Sequence, residues 1–142
     1  MIQLINESSV SRLPISIKRV KSWLLVLANS SGFSIGHISY KVLDDDDVLE
    51  VNRQFLNHDF YTDIITFDYT DGKVLSADIV VSIDRIVDNA GTMKVSVKDE
   101  YLRVLAHGVL HLMGYKDKSK GDQEVMRQKE NDAINMFHVK HF

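Results

Sequence analysis

His107, His111, Gly114 and Asp117 are the residues whose types and spacing point most directly to chemistry. On a helix, positions i and i+4 share a face, so the two imidazoles are presented to one point. A glycine just past the helix can adopt positive φ and reverse the chain, which returns Asp117 toward the rings. Two His and one carboxylate form an accepted ligand set for catalytic zinc, with one coordination position left for water. With six His in 142 residues, two His at this spacing arise by chance about 0.25 times. The full pattern of His, His, Gly and a third His or carboxylate arises about 0.002 times. The competing reading is a pair of solvent-facing or core-capping histidines.

The elements that must position these residues follow from apolar periodicity and turn residues. Val97–Met113 is the most persistent helical stretch, apolar at Tyr101, Leu102, Leu105, Val109, Leu110 and Met113 and stopped by Gly114. Such a helix, apolar on most faces, is expected to be largely buried. Ile2–Asn6 reads as an edge strand, Ser34–Leu43 as a strand, and Asp63–Tyr69 with Ser76–Ser82 as a strand pair around Asp71-Gly72. Helices are expected from Pro14 to about Asn29, after an Asp44–Asp47 cap, from Arg85 to about Lys94, and from Asp122 to about Phe137. Strict β-α-β-α alternation is absent. The expected class is therefore α+β, a small mixed sheet packed against helices, with residues 1–142 as a single domain.

Composition narrows the function classes. There is no cysteine, so thiolate nucleophiles and Cys-ligated metals are excluded, and His and carboxylates remain as ligands. A formal charge of −3 argues against broad wrapping of nucleic acid, but not against a cleft focused by one divalent cation. No apolar run reaches the roughly 18 residues needed to span a bilayer, and no signal-peptide pattern is seen. A cytoplasmic protein with no membrane association is expected.

The ligand spacing resembles that of the metzincin peptidases, His-Glu-x2-His-x2-Gly-x2-His, in which the Glu acts as general base. Here that position is Gly108, which transfers no proton. A second resemblance covers far more of the chain. His107-Gly-Val-Leu-His-Leu-Met-Gly-Tyr115 matches without a gap the His-Gly-x-Leu-His-Leu-x-Gly-Tyr-Asp-His signature of the YbeY-type rRNA maturation factors. Tyr61-Thr-Asp-Ile-Ile-Thr-Phe67 is similar to that family's Pro-Thr-Asp-Val-Leu-Ser-Phe strand, and Ala77-Asp78-Ile79 to its Gly-Asp-Ile. The blocks keep order and spacing over roughly Val48 to Phe137.

The resemblance implies a zinc-dependent endoribonuclease acting on single-stranded RNA, in ribosomal RNA maturation and quality control, with the small ribosomal subunit as partner. It implies one Zn²⁺ held by His107, His111 and Asp117. The family's third His falls on Asp117 and its preceding Asp on Lys116. An extra negative charge should lower the Lewis acidity of the metal, and a hard oxygen donor should widen metal choice. Leu56 stands where the family has an arginine, so Arg53, one turn earlier, is expected to replace it. Lys116 is expected to act beside it in catalysis, with Lys118 and Lys120 as further phosphate contacts. Thr62 and Asp63 are placed at the metal cleft. Asp78 is expected to be buried in a structural hydrogen bond, or to hold a ligand His. His138 and His141 read as an exposed tail pair.

Two other classes remain open at this point. One is a peptidase or amidase on the same cage, with Glu100 or Glu124 as base. The other is a non-catalytic ribosome-assembly factor with a structural metal.

Overall fold

A computed structural model describes residues 1–140 and 142. Its elements are β1 (Ile2–Asn6), α1 (Ile17–Ser30), β2 (Ser34–Leu43), α2 (Asp45–Leu56) and β3 (Ile64–Asp68). They continue with β4 (Val74–Ser82), α3 (Ile83–Met93), α4 (Val97–Leu112) and α5 (Lys120–Lys140). The strand order is β1-β2-β4-β3, with β1, β2 and β4 parallel and β3 antiparallel to β4. The fold is the expected α+β class with a mixed sheet.

Strand alternation divides the sheet into two faces. Ile38, Tyr40 and Val42 of β2, with Leu75, Ala77, Ile79 and Val81 of β4, point into the main core with α1 and α4. The Tyr40 hydroxyl donates to the Leu105 carbonyl at 2.7 Å, which ties the sheet to the middle of α4. The Trp23 indole N–H donates to the Ala133 carbonyl at 2.8 Å and ties α1 to α5. The other sheet face is covered in part by α2, through a small cluster of Leu43, Val48 and Ile65.

Most residues of α4 are buried, as its all-round apolar pattern predicts. Gly108 lies where α4 crosses the sheet. A Cβ there would sit 3.0 Å from Ile79 Cδ1 and 3.5 Å from Ile64 Cδ1. The missing side chain lets the helix approach closely.

Two local expectations are corrected. Asp44 occupies the N-cap of α2, but its carboxylate accepts from the Ser9 backbone N–H and hydroxyl at 3.0 Å and makes no cap bond. It fastens the loop after β1 instead. Asp78 is exposed on the α2 side of the sheet, because the Ala77–Ile79 pair takes the core side of the alternation. It neither makes a buried bond nor holds a histidine.

Candidate active site

The turn after α4 is built as its glycine requires. Gly114 adopts φ 106°, its N–H bonds the His111 carbonyl at 3.0 Å, and Tyr115 N–H bonds the Leu110 carbonyl at 3.1 Å. The reversed chain delivers Asp117 Oδ2 to 3.3 Å from His107 Nε2. The opposite ring nitrogen, Nδ1, lies 2.8 Å from Oε2 of Glu130 on α5. The imidazole therefore stands between an exposed carboxylate and a buried one.

Glu130 is itself held. Its Oε1 accepts a hydrogen bond from Arg103 Nη1 at 3.3 Å and forms an ion pair with Arg127 Nη1 at 3.4 Å. Arg103 Nε also bonds Glu100 at 3.2 Å. These groups line a cleft of about 830 Å³ with Thr62, Asp63, Asn89, Asp117, Lys120 and Glu124 among others. Its carboxylates are Asp63, Glu100, Asp117, Glu124 and Glu130, and its full cations only Arg103, Lys120 and Arg127. Five acids against three bases leave an acidic cleft, suited to a cation.

The electrostatics agree with that balance. Burial disfavours the His107 imidazolium, but the Glu130 hydrogen bond and the charges of Glu130, Asp117 and Asp63 prevail and raise its pKa above 6.5. Burial lifts Asp63 above the ordinary carboxylate value, against the opposing pull of His107. Glu100 is lifted likewise by burial, with Arg103 acting against it.

The expected ligands are brought together only in part. Two donors bound to one tetrahedral zinc at about 2.0–2.1 Å lie roughly 3.3–3.4 Å apart, and His107 Nε2 and Asp117 Oδ2 have that separation. The contact of Nδ1 with a carboxylate is the arrangement that orients metal-bound histidines. The residues present thus fit a zinc ion at two of three positions. His111 is exposed at the last turn of α4 and does not line the cleft. Among the described residues no three His, Asp or Glu side chains converge to hold an ion. Spacing places two His on one helix face but does not set a rotamer, and only His107 has a buried carboxylate facing it.

Arg53 and Lys116 lie outside the cleft. Arg53 is held at the surface by Asp59 and sits 3.9 Å from Glu50. Lys116 is exposed, and of the nearby lysines only Lys120 reaches the cleft wall. Thr62 and Asp63 do line the cleft. His138 Nε2 lies 2.8 Å from Asp99 Oδ1, so it has a partner; His141 lies outside the described residues.

Sequence reasoning missed Glu130 and Arg103. A signal for Glu130 existed: it falls at i+4 from Met126 and i−4 from Ile134, within the buried stripe Met126, Ala133, Ile134 and Phe137. A carboxylate in an apolar stripe requires a partner.

The chain is similar to known proteins in sequence and in fold. A sequence model of the family described as Endoribonuclease YbeY matches residues 5–138. A Flavobacterium johnsoniae protein named Endoribonuclease YbeY is 50% identical over 117 residues, covering 82% of this chain and 84% of its own. A protein of the same name from Parabacteroides distasonis is 45% identical over 117 residues, 82% of each chain. The solution structure of TM1509 from Thermotoga maritima aligns with a TM-score of 0.69 at 25% identity, covering 96% of this chain and 89% of that one.

Proposed function

The chain belongs to the YbeY endoribonuclease family, and on that premise we propose that the cleft around His107 cleaves single-stranded RNA with a bound divalent metal, in ribosomal RNA maturation. The observation that carries this reading is the His107 ring set between Asp117 and Glu130 in an acidic cleft. An unaided cleft of this charge repels a phosphodiester, so a cation is the natural complement.

His107 and Asp117 would hold the metal together, and His111, exposed on the next turn of α4, would have to turn its ring inward to join them; Zn²⁺ is the ion that such a donor set favours. When bound, such an ion supplies positive charge and Lewis acidity at a phosphodiester oxygen. The chain's own groups do the rest. Lys120 and Arg127 on the cleft wall bind flanking phosphates. Asp63 lines the same cleft, where burial raises its pKa. Arg53 and Lys116, at the exposed surface, guide the RNA strand from outside the cleft.

The role is expected in the cytoplasm, beside the small ribosomal subunit. Among the described residues, no helix is long and apolar enough to cross a membrane. Neither other class gains support. Of the two bases open to a peptidase, Glu100 is paired to Arg103 and Glu124 lines the cleft, and the matched relatives are named endoribonucleases.

Assaying zinc-loaded protein on single-stranded RNA and on peptides tests the reading. RNA cleavage that disappears in His107→Ala supports it. Peptide hydrolysis without RNA cleavage overturns it.

A further inference from the structure

We propose that Glu130 is the positioning residue that fixes the tautomer and aim of His107, and that Arg103 and Arg127 hold Glu130 for this task. The inference rests on reading His107 as a metal ligand.

The Glu130 side chain is only 6% exposed, and its two oxygens are used differently. Oε1 accepts a hydrogen bond from Arg103 at 3.3 Å and is ion-paired with Arg127 at 3.4 Å. Oε2 faces His107 Nδ1 at 2.8 Å. An ionised carboxylate only accepts hydrogen bonds, so both ring nitrogens face acceptors and compete for the one proton of the neutral ring. The shorter contact, 2.8 Å to buried Glu130 against 3.3 Å to exposed Asp117, draws it to Nδ1 and leaves the lone pair on Nε2. Nε2 is the nitrogen that faces Asp117. Arg103 is locked in turn by Glu100 and by Asn131 Oδ1 at 3.0 Å, so the chain of contacts runs from α4 through α5 and back to α4.

This arrangement makes the isosteric variant diagnostic. Arginine has donors and no acceptor. In Glu130→Gln the two guanidiniums therefore draw the amide oxygen, and the amide NH₂ turns to His107. An NH₂ group donates to Nδ1, which forces the ring proton onto Nε2 and blocks ligation there. The same amide-for-carboxylate swap in a serine-protease triad sets the wrong histidine tautomer. A merely structural role would instead let Glu130→Gln, which keeps shape and volume, behave better than Glu130→Ala.

Two readouts test this without relying on activity. Long-range ¹H–¹⁵N spectra of the metal-free protein, recorded at alkaline pH where the ring is neutral, report the His107 tautomer. The wild-type protein should carry the proton on Nδ1, and Glu130→Gln should carry it on Nε2. Zinc affinity by chelator competition should fall about 10- to 100-fold in Glu130→Gln. It should fall at least as far there as in Glu130→Ala, and stay unchanged in Asp132→Asn, an exposed neighbour on α5. A wild-type ring protonated on Nε2, or a folded Glu130→Gln protein with wild-type zinc affinity, would overturn the proposal. If the Glu130 variants do not fold, the wild-type tautomer decides alone. A wild-type protein that binds no zinc sinks the functional reading, while its tautomer still decides the role of Glu130.

Discussion

Glu130 Oε2 lies 2.8 Å from His107 Nδ1, so a carboxylate on α5 sets the ring carried by α4. The two residues are 23 positions apart, and the Gly114 reversal between them also carries Asp117 to the other ring nitrogen. One turn thus supplies a donor to the site, and the helix that follows supplies the group that orients it. The consequences reach metal choice, pH dependence, packing and RNA binding.

Asp117 contributes an oxygen where the resemblance leads one to expect a nitrogen. Asp117→Ala should lower zinc affinity by roughly two orders of magnitude. Asp117→His should restore it and narrow the range of activating ions, because the hard oxygen donor is lost. Chelator competition and a profile of activity against added metals check both outcomes.

The raised pKa of His107 gives opposite pH trends with and without metal. Zinc requires the neutral ring, so affinity should rise by about tenfold per pH unit while the ring is still protonated, and level off above its raised pKa. In the metal-free protein the protonated ring stabilises the fold. That contribution is complete below the unfolded value near 6.5 and is lost as pH rises through the raised folded value. Calorimetry of metal-free protein should show Tm falling across that window, and His107→Ala should flatten the fall.

Gly108 separates this site from a peptidase cage by packing as well as by chemistry. Gly108→Ala should be nearly neutral, since a helix gain of about 1 kcal/mol offsets a contact that the Ile79 side-chain tip can relieve. Gly108→Glu places a charge against Ile79 and Ile64 and should cost about 3 kcal/mol or more, with no peptide hydrolysis gained. Denaturant titrations read the difference.

Arg53 is bonded to Asp59 outside the cleft, so its influence should fall on RNA capture. Arg53→Ala should raise KM by a few-fold and leave kcat near the wild-type value, as expected for a residue that binds substrate and transition state alike. A drop in kcat with KM unchanged would place Arg53 at the reacting atoms instead.

Much of this architecture was legible in the residues. Alternating and β-branched runs located all four strands, and Gly114 located the end of α4, because period and turn chemistry are local properties. The fate of individual side chains was not. Asp78 sits among Ile and Val in sequence yet faces out, since neighbours in a strand point to opposite faces. His111 shares a helix face with His107, but no local rule turns its ring into the cleft. Arg103 and Glu130 pair across two helices, and that contact exists only once α5 has packed on α4. Glu130 was the nearest to legible, as a charge on an apolar stripe.

The most direct test of the account is metal content measured beside RNA cleavage on the same purified protein. We predict about one zinc per chain, cleavage of single-stranded RNA that chelation abolishes and added zinc restores, and no restoration in His107→Ala. Full RNA cleavage by demonstrably metal-free protein would contradict the account.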